Sequence, residues 1–303
     1  MSAVVGRPAH PDAPRPAMPR RKSIRIITPG MVISRIATFV ILIVAAIAIV
    51  APFLFIFRGA ISPTDAALYK LPPTLFVTDP TFANFGKVFA QVPFLRFAAN
   101  SVIVAGTITV AQLVTCSTAG YAFARLRFRG KGFLFGVVIG SLMIPLQVTI
   151  VPLFLIMSKL QLTNTLWALI LPPVFSAFGI FLMRQHFLTI PRELEEAAKL
   201  DGAGHIRTFF QVMLPLSGPA LATLGIITFT YWWNDLLLPL VMINDTGTQT
   251  LPVGLVLLAG RFSTGSLGTI AAGITMAIIP VLIVFVIAQR WIVQSIASSG
   301  LKL

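Results

Sequence analysis

The chain has 303 residues, a net charge of +14 from 23 Lys and Arg against 9 Asp and Glu, and a mean hydropathy of +0.91. Soluble domains are about 25% charged, so the 11% found here excludes an ordinary soluble domain and indicates an integral membrane protein. The single Cys116 excludes an internal disulfide, and the three histidines (His10, His186, His205) do not have metal-ligand spacing.

The first 32 residues are rich in Pro and Arg and have no apolar period. Residues 1–32 are therefore predicted to be a disordered, basic cytoplasmic tail. Arg20 and Arg21 resemble a twin-arginine export signal, but the apolar run that follows is longer than the about 7–15 residues of the apolar h-region of a signal peptide. This run is therefore predicted to remain in the protein as a helix.

Six apolar segments follow, each long enough to cross a membrane, which takes about 20 residues at about 1.5 Å each. Residues 33–303 are accordingly predicted to form one all-α membrane domain with six transmembrane helices. The predicted spans are Ile36–Phe57, Phe97–Ala124, Phe133–Met157, Thr165–Met183, Pro219–Ile243 and Leu267–Gln289. Prolines predicted to kink them are Pro145, Pro152, Pro172, Pro173, Pro239 and Pro280.

Lys and Arg are distributed unevenly over the loops between these segments. If the N-terminus is inside, the cytoplasmic parts hold 17 of the 23 basic residues. The positive-inside rule therefore predicts that both termini are cytoplasmic. It also accounts for the basic charge of a lipid-embedded protein without a nucleic-acid partner.

The loop between the fourth and fifth segments, residues 184–218, contains four of the nine acids of the chain. Pro191 suits the first turn of a helix, and the Glu residues that follow lie near the positive end of the helix dipole. Asp201-Gly202 is a helix-stop signal, because Gly tolerates the positive φ that ends a helix. The loop is thus predicted to be a helix, a Gly turn and a second helix. The four acids are Glu193, Glu195, Glu196 and Asp201.

In the second helix, apolar residues follow the i, i+3, i+4, i+7 spacing of one helical face. They are Ile206, Phe209, Phe210 and Met213. Pro215 and Pro219 are predicted to end this helix and to lead into the fifth segment. An amphipathic helix on the membrane surface would account for the pattern, but such helices prefer a basic polar face, whereas the first helix here is acidic. The other interpretation is a docking element whose Phe side chains enter a groove on a cytoplasmic partner.

The run EAAKLDGAGHIRTFFQVMLP, residues 196–215, resembles the EAA loop of ATP-binding-cassette (ABC) importer permeases. Seven further stretches resemble, in order, the maltose-type carbohydrate permeases of that family: FAANS (97–101), YAFARLRFRGK (121–131), MIPLQVTIVPLF (143–154), FGIFLMRQHF (178–187), WWNDLLLPL (232–240), LPVGL (251–255) and QRW (289–291). They extend over most of residues 80–295. The resemblance implies a type I ABC importer transmembrane domain with its core at about residues 95–290.

The resemblance also implies that residues 184–218 form a coupling loop, whose helix sits in a cleft of the ATP-hydrolysing subunit. The implied partners are a second homologous permease subunit, two copies of a cytoplasmic ATPase subunit and an extracytoplasmic solute-binding protein. The implied location is the cytoplasmic (inner) membrane of a prokaryote. The residues that match the family's EAA positions are Glu196, Ala197, Ala198, Asp201, Gly202, Ala203, Phe209 and Pro215.

The chain has no G-x-x-x-x-G-K-[ST] phosphate-binding motif and no motif of a hydrolase active site. It is therefore predicted to be a transporter subunit rather than an enzyme, without a catalytic residue, cofactor or metal of its own. ATP and Mg²⁺ are expected on the partner ATPase, which an exposed docking loop would contact.

Asp235 is the only acid in any predicted span, and an intramembrane ionisable residue is a functional-site hypothesis by default. In one interpretation Trp233, Asn234 and Asp235 line a sugar pathway, with Asn100 and Gln147 facing the same cavity. In the other, Asp235 bonds to an Asn, a backbone amide or water, and the other polar residues bond to neighbouring helices. An ion-coupled secondary transporter that uses Asp235 is the alternative function, although we find no pair of broken helices in symmetric halves.

Overall fold

The computed structural model describes residues 29–65, 77, 79–260 and 265–300, and this part of the chain is helical, as predicted. Its α-helices are α1 (Pro29–Ala60), α2 (Ala83–Gln91), α3 (Phe94–Arg125), α4 (Lys131–Ser141), α5 (Leu146–Lys159), α6 (Trp167–Ile170), α7 (Ala177–Thr189), α8 (Glu193–Leu200), α9 (His205–Thr208), α10 (Leu214–Leu216), α11 (Gly218–Trp233), α12 (Leu237–Met242), α13 (Leu251–Ala259) and α14 (Leu267–Gly300). Three short elements add to these, namely 3-10 turns at Pro172–Val174 and Thr246–Thr248 and a π turn at Phe209–Met213.

The chain divides into two compact units, residues 1–52 and 53–303. The described part of the first unit is the N-terminal portion of α1, whose side chains from residue 35 to residue 50 are exposed, as suits a helix with lipid around it. This helix begins at Pro29, a residue favoured in a first turn, so residues 29–32 of the predicted tail are helical. The rest of that tail lies outside the described residues.

The second unit is built around α3, which packs against α7 and α11. Small residues bring α3 and α7 close together, as is common between membrane helices. A Cβ atom added at Gly120 would lie 2.7 Å from the Met183 Cβ, and one at Gly179 would lie 2.7 Å from the Cys116 Sγ. These contacts join α3 to α7, the helix that leads into the 184–218 loop.

The third predicted span, residues 133–157, is not one straight helix. It consists of α4 and α5, which meet at an angle of 100° around residues 142–145. Pro145 precedes α5 with extended backbone, so the helical hydrogen bonds are interrupted there. The predicted kink is therefore confirmed, but it is a sharp bend.

The fourth predicted span, residues 165–183, is divided into α6, a 3-10 turn and α7. Pro172 and Pro173 lie in that turn and lack the N–H groups that a continuous helix requires. Side chains of α3 satisfy carbonyls at the break, since Gln112 Nε2 donates to the Pro173 oxygen at 2.7 Å and Thr115 Oγ1 donates to the Val174 oxygen at 2.8 Å. Such compensation allows an interrupted helix in an apolar environment.

The fifth predicted span comprises α11 and α12, which are separated at residues 234–236. The segment His205–Leu216 meets α11 at 76°. In the described part of the chain, α1, α3 and α14 are each long and apolar enough to cross a membrane, and counting each bent pair as one span gives up to five. The number six stays a prediction, because the fourth segment is made of short pieces.

Candidate functional site

The first helix of the 184–218 loop, α8, ends at an Asp201-Gly202 turn, as predicted. It begins at Glu193, so Pro191 precedes the helix and is not in its first turn as predicted. Gly202 has φ +79°, in the left-handed region that favours glycine. The Gly202 N–H donates to the Lys199 oxygen at 3.0 Å, and the Ala203 N–H donates to the Ala198 oxygen at 2.8 Å. These bonds use carbonyls at the end of α8 and fix the direction in which the chain continues.

A buried ion pair joins α8 to the rest of the subunit. Arg125 Nε lies 2.8 Å from Glu195 Oε1, and the two side chains are 4% and 10% exposed. Arg125 Nη2 also donates to the carbonyl oxygens of Phe187, at 2.6 Å, and of Ile190. One guanidinium therefore connects the end of α3, the end of α7 and α8.

The prediction that Ile206, Phe209, Phe210 and Met213 form one face is wrong. Phe209 and Met213 are buried, whereas Ile206 and Phe210 are exposed. These residues span α9 and a π turn, which is wider than an α-helical turn. Pro215 accounts for the widening, because a proline ring clashes with the carbonyl four residues earlier in a regular helix.

Phe209 fills the space between α3 and α7 instead of lying on a docking surface. Its ring centroid is 5.1 Å from that of Tyr121 and 6.3 Å from that of Phe187, and these two rings are 5.8 Å apart. Such tilted and edge-on aromatic contacts add to the energy of burial. Phe209, one of the residues that match the EAA positions, therefore attaches the loop to α3 and α7.

The loop also exposes large apolar side chains, since Leu200 at the end of α8 is 89% exposed and Ile206 and Phe210 are 77% and 59% exposed. Ile206 and Phe210 lie in a shallow depression of about 620 Å³. Its lining residues are Gly204, His205, Ile206, Arg207, Phe210 and Gln211. Large exposed apolar side chains on a loop are typical of an interaction site.

Of the eight EAA-matching residues, some are exposed at the surface and others are partly or fully buried. Pro215 lies within α10 and is exposed, and the second helix ends at Leu216, between the two prolines predicted to end it. The other exposed members are Glu196, Ala197, Asp201 and Gly202, while Ala198 and Ala203 are half-buried and Phe209 is buried. The sequence did not point to Arg125 and Glu195 as a pair, although Arg125 stands at the end of an apolar run, where basic residues are common.

His186 lies near the end of α7, on the loop side of the fourth predicted span. Its Nε2 atom is buried, and the Leu216 carbonyl lies beside the ring. Burial lowers the pKa of His186 from its usual 6.5, and the Leu216 carbonyl opposes this change. The folded protein therefore favours the neutral imidazole.

Trp233 and Asn234, which are predicted to line a substrate pathway, donate hydrogen bonds within the subunit. Trp233 is buried, its Nε1 donates to the Ala277 oxygen at 3.2 Å, and its ring stacks on Phe229. Asn234 is exposed and its side-chain amide donates to the Thr230 oxygen at 2.7 Å.

Asp235 lies in the break between α11 and α12. The backbone N–H groups of Leu237 and Leu238, at the start of α12, lie beside its carboxylate. This arrangement fits the structural interpretation, in which Asp235 bonds to backbone amides.

Asn100 lies near the beginning of α3, about 38 Å along the helix from Arg125 at about 1.5 Å per residue. Its side-chain amide donates to the carbonyl oxygens of Gly247, at 3.1 Å, and of Gln249, at 2.8 Å. Asn100 therefore holds the loop that precedes α13. Gln147 lies in the first turn of α5 and is exposed. Among the described residues, no cluster of His, Cys, Asp and Glu has the arrangement of a metal site.

Comparison with known proteins gives a consistent family. Residues 116–298 match the family model described as "Binding-protein-dependent transport system inner membrane component". The chain is 37% identical over 223 residues to an arabinooligosaccharide transport system permease of Halalkalibacterium halodurans (73% of this chain, 80% of the relative). It is 32% identical over 270 residues to an sn-glycerol-3-phosphate transport system permease of Yersinia pestis (86% of this chain, 95% of the relative).

A solved structure is similar over nearly its whole length. It is a crystal structure of a bacterial ABC transporter involved in the import of the acidic polysaccharide alginate. The TM-score is 0.76 at 26% identity, and the match covers 88% of this chain and 98% of that chain.

Proposed function

Because this chain belongs to the family of binding-protein-dependent transport system inner membrane components, we propose that it is the membrane-spanning subunit of an ABC importer that carries a carbohydrate. As a permease subunit it is not itself an enzyme. ATP hydrolysis takes place on a separate subunit, and the loop at residues 184–218 couples that hydrolysis to transport.

The observation that carries this proposal is the two-sided construction of the coupling loop. One side is attached to α3 and α7 through Phe209 and Glu195. Elsewhere the loop exposes Leu200, Ile206 and Phe210. A loop built in this way can receive a partner on one face and transmit the partner's displacement to membrane helices on the other.

The partners follow from the same proposal. They are two copies of a cytoplasmic ATPase subunit, which bind ATP and Mg²⁺, a second homologous permease subunit and an extracytoplasmic solute-binding protein. In the cytoplasmic membrane of a prokaryote, the chain makes six spans with both termini inside. The excess of Lys and Arg in the predicted cytoplasmic parts supports this orientation.

The proposed substrate is a sugar, an oligosaccharide or a sugar derivative. The relatives are named for the transport of arabinooligosaccharides, sulfoquinovosyl glycerol and sn-glycerol-3-phosphate, and the similar structure for alginate import. Each of these compounds is a saccharide or a polyol derivative that carries free hydroxyl groups. Trp233, Asn234, Asp235, Asn100 and Gln147 were predicted to line the pathway, but Trp233 and Asn100 use their polar hydrogens within the subunit. The capture of the sugar is therefore assigned mainly to the binding protein and the sister subunit.

The test is uptake by proteoliposomes that contain the assembled complex and its binding protein. Radiolabelled arabinooligosaccharides, sn-glycerol-3-phosphate and an alginate oligosaccharide serve as probes. We expect uptake of at least one probe that depends on ATP inside the vesicles and persists with a protonophore at constant ATP. Uptake abolished by the protonophore at constant ATP would instead support the ion-coupled alternative with Asp235.

A further inference from the structure

The attachment of α8 to the subunit depends on a charged residue. The structure describes all eight residues of α8, and of these Glu195 alone is buried. An isolated helix of fewer than about 12 residues is marginally stable in water, so α8 needs contacts with the rest of the protein to keep its orientation. Its buried side-chain contact is the ion pair with Arg125.

The chain on either side of α8 leaves room for rotation. Pro191 and Arg192 connect α8 to α7 outside any helix, and Gly202 connects it to α9 through a turn at φ +79°. Glu193 and Glu196, its neighbours in the first turn, are exposed. A partner that displaces α8 would turn the helix about these two connections unless a contact resists the rotation.

Arg125 is suited to provide that resistance because its guanidinium has several donors in a fixed plane. One nitrogen contacts Glu195, and another donates to the carbonyl oxygens of Phe187 and Ile190. These carbonyls belong to the end of α7, where no further helical turn uses them. A lysine at this position would keep the charge but would not reach three acceptors in two directions.

We propose that Arg125 and Glu195 are a positioning pair, which holds α8 in a fixed orientation on α3 and α7 so that a displacement of α8 moves both helices. The inference rests on the proposed function for its consequence, which is the efficiency of coupling. The pair itself lies inside this chain and does not touch ATP or the transported solute. Phe209 provides the second attachment point, at the other end of the loop.

The test separates the order of α8 from the activity of the complex. A nitroxide spin label on Leu200→Cys, an exposed position at the end of α8, reports the local mobility of the helix in the full-length chain in nanodiscs. The native Cys116 is buried, so labelling is directed to the new cysteine. The variants are Glu195→Gln and Arg125→Lys, and Glu193→Gln is the matched control, because it removes an exposed carboxylate from the same turn.

We expect Glu195→Gln and Arg125→Lys to make the label mobile, whereas Glu193→Gln leaves it as in the parent protein. In the reconstituted complex, both variants should keep the ATPase bound and hydrolysing ATP. The amount of carbohydrate transported per ATP should fall by about fivefold or more, which is the lower end of the coupling factors found between linked sites. A loss of folding would lower assembly and hydrolysis together, which distinguishes it from a loss of positioning.

An immobile label in Glu195→Gln, with transport per ATP equal to that of Glu193→Gln, would overturn the proposal. If a variant does not assemble with the ATPase, the label in nanodiscs still decides whether the pair orders α8. If the parent complex itself shows no ATP-dependent uptake of any probe, the proposed function fails, and the label measurement remains a separate test of the pair.

Discussion

Replacement of Gly202 by alanine would separate two reasons for a glycine in the coupling loop. Gly202 and Gly130 both have φ +79°, and a Cβ atom added at either would have none of the described atoms within 4 Å. Alanine in the left-handed region costs about 1–2 kcal/mol, so both substitutions should destabilise the local backbone by the same amount. That amount changes a conformational equilibrium by a factor of about 5–30.

The two positions differ in their surroundings within the proposed complex. Gly202 ends α8 on the face that we assign to the ATPase, whereas Gly130 precedes α4 in a different loop. We therefore expect Gly202→Ala to reduce ATP-dependent uptake more than Gly130→Ala does, because the added methyl group also meets the partner. Gly202→Asn should be at least as damaging, although asparagine tolerates a positive φ better than alanine.

The assay is uptake and ATP hydrolysis in the same proteoliposomes, together with the amount of ATPase that copurifies. Near-normal uptake in Gly202→Asn, with equal losses in Gly202→Ala and Gly130→Ala, would refute the close approach of a partner. Backbone strain would then account for the whole effect.

Three further predictions concern the body of the subunit. Gly120→Ala would press a methyl group against Met183 and should destabilise the α3–α7 contact by about 1–3 kcal/mol. The control Gly106→Ala, in the same helix, meets no described atom within 4 Å and should be nearly neutral. Thermal unfolding in detergent measures the stability of both variants. Because burial lowers the pKa of His186 in the folded protein, the unfolded chain binds a proton more readily than the folded one, and the free energy of unfolding should fall as the pH drops below 6.5. His186→Gln should flatten this pH dependence in unfolding titrations. An unchanged slope of unfolding free energy against pH would contradict the prediction. Asp235→Asn should leave uptake within about twofold of normal, because the asparagine side-chain oxygen can still accept from the backbone N–H groups of Leu237 and Leu238. A much larger loss in the uptake assay would make the carboxylate part of the solute pathway.

Local backbone chemistry explains what the sequence predicted well. The Asp201-Gly202 turn follows from the freedom of glycine at positive φ, and the interruption at Pro172 and Pro173 follows from their missing N–H groups. Neither feature depends on distant parts of the chain. The position of α3 could also be predicted, because one uninterrupted apolar run specifies it.

Features that depend on tertiary contacts were not predicted. Arg125 and Glu195 are far apart in the sequence. A basic residue at the end of an apolar run and an acid in the first turn of a helix are both common, so neither pattern predicts that the two side chains pair. The apolar spacing of residues 206–213 predicted one helical face, but a π turn before Pro215 divided it between interior and surface. In the third predicted span, proline indicated a kink but not a bend of 100°.

The central claim, that the exposed face of the coupling loop receives the ATPase, is tested most directly by photo-crosslinking. A benzophenone maleimide is attached to Ile206→Cys or, as a matched control, to Ile41→Cys, which is similarly exposed on α1. In the assembled complex, Ile206→Cys should form a crosslinked product with the ATPase subunit on illumination, and Ile41→Cys should not. A complex that keeps its ATPase but crosslinks it from neither Ile206→Cys nor Phe210→Cys would contradict the account.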